Sequence, residues 1–200
     1  MGAERLKEVA LKQFALYGYE GASLAMIAEE VGIKKQSIYA HFKSKEDLFL
    51  QTFRVAVDRE VEYMTEFIQQ KEFDTLSTIL ETFIDDYLKR YYENDNASFF
   101  MRTSFFPPLE LESLIKVGTN EYVSNQEYLF TQIFEKFQKD LKPGITPPSA
   151  SLGFLTLLDG LFVEMLYGEQ DRLTRRRNAA WEMLTKILID KATSEEIVSI

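Results

Sequence analysis

Apolar residues recur along this chain at helical spacing almost from end to end. Leu6, Val9, Ala10, Phe14 and Tyr17 form the stripe of an amphipathic helix, and Gly18 and Gly21 are placed to stop it. Ser23 is a natural N-cap for a short second helix with Leu24, Ile27, Ala28 and Val31 on its inner face, ended by Gly32. A third short helix fits between Gly32 and Lys43, with Ile38 and Phe42 one turn apart. Ser44 with Asp47 opens a fourth in the manner of a capping box, and its stripe (Leu48, Phe49, Thr52, Phe53, Ala56) persists towards Gln70. Asp74 is the expected cap of the next helix, whose stripe runs from Leu76 through Phe83 and Tyr87 to Tyr91.

Beyond it, Asn94–Asn96 and Pro107-Pro108 read as breaks on either side of an aromatic knot, Phe99 to Phe106. One helix is expected from near Glu110 and another over Tyr122–Phe137. Pro147-Pro148 opens a strongly apolar helix, and a last one covers Gln170–Lys191. No segment alternates with the period of a strand. The pattern predicts an all-α protein of about nine helices. It divides into a three-helix N-terminal unit over residues 1–50, a larger helical domain over 51–192, and a frayed tail at 193–200.

Composition narrows the chemistry. Of 200 residues, 46% are apolar and 28% charged, which excludes a disordered chain. With no cysteine and a single histidine, His41, there is no disulfide, no thiolate chemistry and no histidine-clustered metal site, and neither metal nor cofactor is expected. No signal-like N-terminus precedes the first helix. The most apolar run, Leu152–Leu166, is interrupted by Thr156, Asp159 and Glu164 and is short for a bilayer span. A cytoplasmic protein without a membrane partner is expected.

The net charge of −9 argues against nucleic acid, but its distribution does not. Residues 1–50 hold seven Lys/Arg and seven Asp/Glu, so the excess acid lies entirely in the remainder. The stretch from Ile33 to Lys45 carries Lys34, Lys35, Lys43 and Lys45 and no acid. Two short helices joined at Gly32, the second one basic, have the form of a helix-turn-helix, whose second helix can enter a major groove.

The string from Ala25 to Leu48, above all Ile38-Tyr39-Ala40-His41-Phe42-Lys43-Ser44-Lys45, resembles the N-terminal signature of the TetR family of bacterial transcriptional regulators, with close matches over roughly residues 5–50. The resemblance implies DNA binding through Ser23, Lys34, Lys35, Gln36, Ser37, Tyr39, His41 and Lys45. In it Lys34 to Gln36 open the recognition helix, Lys45 holds a phosphate, and Ile38 and Phe42 are buried spacers. Lys34 and Gln36 depart from the small hydroxyl and the glycine that the family often has there.

Nothing in residues 51–200 assembles a catalytic set, so no catalytic residues and no enzyme activity are expected. The abundance of aromatics suits an apolar effector cavity, with Phe67, Phe83, Tyr87, Phe105, Tyr122 and Phe162 as its candidate lining. Asp86, Glu121 and Asp159 would favour a cationic, lipophilic molecule there. The last two helices are apolar on more than one side. They are expected to form a two-fold, four-helix dimer interface through Leu155, Leu158, Trp181, Leu184 and Leu188.

Two readings follow. One is a homodimeric regulator, most simply a repressor, released from a near-palindromic duplex operator by a small, largely apolar or aromatic effector. The alternative is a helical sensor or protein-interaction module whose helix-turn-helix no longer reads DNA.

Overall fold

The computed structural model describes residues 2–71 and 74–190, so the expected tail at 193–200 lies outside the described residues. Among these residues nine α-helices and no extended sheet are found: α1 (Ala3–Gly21), α2 (Leu24–Val31), α3 (Lys35–Ile38), α4 (Lys45–Gln70), α5 (Leu76–Glu93), α6 (Asp95–Phe105), α7 (Glu112–Lys136), α8 (Pro147–Tyr167) and α9 (Gln170–Leu188). The fold is all-α, as the periodicity predicts. Single 3₁₀ turns at Leu109–Leu111 and Gln138–Asp140 and one isolated bridge, Leu141 to Ile189, complete it.

Several boundaries differ from expectation for local reasons. Gly18, at φ 70°, kinks α1 near its end, and Tyr17 just before the kink is exposed instead of buried. Asp74 does not cap α5. The Thr75 hydroxyl accepts the Thr78 N–H at 3.2 Å, while Asp74 pairs with Lys71. Asn94 breaks the chain between α5 and α6, as the N-cap of α6 accepting the Ala97 N–H at 2.9 Å, whereas Asp95 and Asn96 are already helical, as is the aromatic knot from Phe99 to Phe105.

The two helices expected after Pro108 are one, α7. Gly118 lies within it without interrupting it, and its missing side chain has a packing role. A Cβ placed there would stand 3.0 Å from the Phe53 ring. The Pro147-Pro148 start of α8 is as expected, with Thr146 and Ser149 forming a reciprocal cap.

By packing, the described residues divide into two compact units, 2–63 with 90–123, and 64–71 and 74–89 with 124–190. Three helices, α4, α5 and α7, run from one unit into the other, whereas the expected division after residue 50 follows the motif alone.

In the first unit α1 packs on α2 and α6. Its core is a chain of rings, with Phe14–Phe49 at 4.8 Å, Phe49–Phe99 at 5.5 Å and Phe100–Tyr122 at 4.5 Å between centroids. A buried ion pair lies beside it. Arg90 donates to Glu60 at 2.7 Å and stacks 3.3 Å from the centroid of the Tyr63 ring, and Asn96 donates to Glu60 at 2.8 Å and to the Ala56 carbonyl at 3.2 Å.

The second unit is built on Phe67, Phe83, Phe130, Phe134 and Phe154, with α8 against α9. By length and composition alone α8 could cross a membrane. It is longer than the uninterrupted run in the sequence suggests, and half of its apolar window is buried in the protein.

Candidate nucleic-acid interface

The N-terminal unit presents one surface through its local folding rules. The Ser23 hydroxyl accepts the Met26 N–H at 3.2 Å and so starts α2. Gly32, at φ 80°, ends α2 in the left-handed conformation that a side chain disfavours, and the Ile33 N–H closes on the Ala28 carbonyl at 2.9 Å. This tight turn leads directly into α3. The latter has only four residues, but 3₁₀-type bonds through Tyr39, Ala40 and His41 carry its winding on to Phe42.

Ile38 and Phe42 are fully buried and anchor this segment to the unit. Every other residue from Lys34 to Lys43 is exposed, so Lys34, Lys35, Gln36, Ser37, Tyr39, His41 and Lys43 share one solvent-facing surface. Tyr39 keeps 53% of its surface in water. None of Lys34, Lys35, Lys43 and Lys45 forms an ion pair with a described residue. A cluster of unneutralised ammonium groups around two buried anchors is the arrangement that attracts a polyanion.

The mouth of α4 completes the surface. Ser44 accepts the Asp47 N–H at 3.1 Å, and Asp47 accepts the Lys43 N–H at 2.7 Å. A side-chain bond from Gln51 at 2.8 Å and the Lys43 N–H hold the Asp47 carboxyl below its ordinary pKa. Lys45, the first residue of α4, places its ammonium over the Tyr19 ring. His41 packs against the N-terminal segment, where a Cβ on Gly2 would approach its Cε1 at 3.0 Å.

Sequence reasoning left two members of this surface out. Lys43 lies in the acid-free run and is exposed. Tyr19, 26 residues before Lys45, gave no sequence signal of its role.

A model of bacterial regulatory proteins of the tetR family matches residues 6–52, which span this whole surface. Over that segment the chain is similar to the TetR family. The negative transcriptional regulator IcaR of the biofilm operon icaADBC, from Staphylococcus aureus, is 32% identical over 90 residues. That match covers 44% of this chain and 48% of IcaR, so it spans about half the length of that relative. Among solved structures, a TetR-family regulator from Cytophaga hutchinsonii superposes with a TM-score of 0.73 over 94% of this chain and 96% of its own, at 16% identity. The regulator FadR from Bacillus subtilis, solved in complex with stearoyl-CoA, gives 0.64 over 90% and 96%, at 21% identity. The TetR fold therefore extends well past the matched N-terminal segment.

The remaining candidate residues are distributed otherwise than expected. Phe67, Phe83, Tyr87 and Phe162 belong to the second unit, while Phe105 and Tyr122 belong to the first. Phe83 and Phe162 are fully buried, with Phe83 packed between Phe67 and Phe130, whereas Phe105 is exposed. Of the acids, Glu121 forms a forked pair with Arg54 and is not turned to a cavity.

Leu155, Leu158 and Leu188 are buried within their own unit, with Leu158 only 1% exposed, and Trp181 and Leu184 are half-buried. The apolar residues that these helices leave exposed are Leu152, Val163 and Tyr167 on α8, with Gly153, Thr156 and Gly160 between them, and Met183 and Ile187 on α9. A helix apolar on both sides does not reveal in sequence which side its own core takes.

Proposed function

We propose that this chain is a homodimeric, DNA-binding transcriptional repressor that leaves its operator when a small, largely apolar effector binds. One observation carries the reading: the unpaired lysines and exposed polar residues from Lys34 to Lys45 form a single surface around buried Ile38 and Phe42, within the segment that matches the TetR family. A helix start held at this surface directs side chains to base edges, while flanking cations hold phosphates. Lys35, Gln36 and Tyr39 are assigned to bases or the groove floor. Ser23, Lys34, Ser37, His41 and Lys45 are assigned to the backbone, and Lys43 joins them.

The dimer is assigned to the exposed stripes of α8 and α9, which would otherwise leave Val163, Tyr167, Met183 and Ile187 in water. Two-fold symmetry then requires a near-palindromic operator, with half-sites about one helical turn (34–36 Å) or a multiple of it apart. The effector is assigned to the aromatic interior of the second unit around Phe67, Phe83, Tyr87 and Phe162. IcaR's description as a negative regulator supports repression, and the acyl-CoA complex of FadR supports an apolar effector.

Selection of bound sequences from random duplex DNA tests the reading. A recovered palindrome whose binding weakens steeply with salt supports it. Failure to enrich any sequence, with salt-independent residual binding, leaves the protein-interaction alternative.

A further inference from the structure

The first unit contains a cavity that the reading above does not use. Its volume is about 210 Å³, and its walls are rings from four parts of the chain: Phe14 and Tyr19 of α1, Phe49 of α4, Phe99 of α6, and Phe106 just after α6. Arg102 of α6 lines it too. Gly18 also borders it, and nothing lies within 4 Å of where a Cβ on Gly18 would stand.

The cavity opens to solvent on one side, where Phe106 is 54% exposed. An apolar cavity of roughly 150 Å³ already accepts benzene, so this one has room for a benzene ring with a small polar substituent. The character of that substituent is set by Arg102. Its one hydrogen bond goes to the Ala15 carbonyl at a long 3.4 Å, and no described carboxylate pairs with it. Arg102 is exposed, and a guanidinium has five donors in a planar fork and remains charged, so the donors not used on Ala15 face solvent at the mouth of the cavity. That fork matches a carboxylate in two parallel bonds.

We propose that the α1–α4–α6 cavity binds a small aromatic monocarboxylate, its ring between Phe14, Phe49 and Phe99 and its carboxylate on Arg102. Tyr19 adds a second polar wall. Burial first, and then Glu110, Glu46 and Glu20, hold its phenol above the ordinary value, so its hydroxyl stays a donor. Those acids act on Tyr19, and none of them pairs with Arg102.

The site bears on DNA through the same tyrosine. The Tyr19 ring carries the ammonium of Lys45, so a guest that shifts Tyr19 shifts the cation assigned to phosphate. This coupling, unlike the binding itself, rests on the function proposed above.

Titration calorimetry on the full chain without DNA is the direct test, with benzoate, benzyl alcohol and benzylamine as probes. Benzoate is expected to bind saturably at millimolar concentration or below, and benzylamine not at all. Losing a charged hydrogen bond costs about tenfold or more in affinity, so Arg102→Gln should weaken benzoate by that factor and leave benzyl alcohol unchanged. Arg102→Lys, which keeps the charge and loses the fork, should fall between. Ala15→Leu, on the cavity wall, should exclude both probes. Thermal unfolding of each variant verifies that it folds.

Absence of saturable benzoate binding overturns the proposal. So does benzoate binding indifferent to Arg102→Gln, or benzylamine binding as tightly as benzoate. If benzoate binds and duplex affinity does not change, the coupling to Lys45 is refuted and the site stands. If the chain binds no DNA at all, the regulator reading fails while the calorimetry remains decisive for the cavity.

Discussion

The ammonium of Lys45 lies 4.4 Å from the centroid of the Tyr19 ring. A cation held over an aromatic face keeps its charge and loses freedom, so Lys45 is positioned before any phosphate arrives. Lys45→Ala should weaken binding to all duplexes alike and reduce the magnitude of the salt slope by about one. Tyr19→Leu should weaken binding in the same sequence-independent way, while Tyr19→Phe, which keeps the ring, should not. Filter or fluorescence binding across a salt series measures all three. A change in base preference with Lys45→Ala would contradict the phosphate assignment.

Lys35 and Gln36 are the exposed first residues of α3. If they reach base edges, Lys35→Ala and Gln36→Ala should each cost about 1–3 kcal/mol at particular base pairs and relax specificity there. Repeating the sequence selection with each variant locates the pairs. Uniform loss over all positions would move these residues to the backbone.

The two faces of α8 separate stability from assembly. Val163 and Ile187 are 45% and 55% exposed in the single chain, so Val163→Glu with Ile187→Glu should give a folded monomer with collapsed operator affinity. Leu158→Glu places a charge in the core of the second unit and should abolish folding itself. Sedimentation with circular dichroism distinguishes the two outcomes. A monomeric native chain at micromolar concentration would refute the dimer.

Glu60, Arg90 and Asn96 form a buried polar group in the first unit. Removing one partner of such a pair leaves the other charge uncompensated, so Glu60→Ala should destabilise the protein by about 3–5 kcal/mol. Replacing Glu60 and Arg90 together with Met should cost much less. Urea unfolding of the single and double variants measures the difference.

The fold class and the exposed lysine surface were legible in sequence because both depend on local signals. Ser23 and Gly32 bound a helix by their own chemistry, and an acid-free run of lysines remains acid-free when folded. What was not legible depends on pairings distant in sequence. Tyr19 meets Lys45 only through the packing of α1 on the start of α4. Arg102 reads as an ordinary surface cation until Phe14 and Phe49 close beside it. The buried face of α8 was not legible because Leu158 and Val163 are equally apolar, and only the position of the rest of the unit decides which is buried. The two helices expected after Pro108 are one, and the glycine at 118 lies inside it without breaking it. In the folded chain it marks a close approach.

That glycine also limits how the protein can vary. At position 118 a Cβ would stand 3.0 Å from the Phe53 ring, so any larger residue requires that ring or α7 itself to give way by a few tenths of an ångström. Because no residue is smaller than the one present, variation at this position is one-directional, and each step is felt first by a ring on the helix that begins at Lys45.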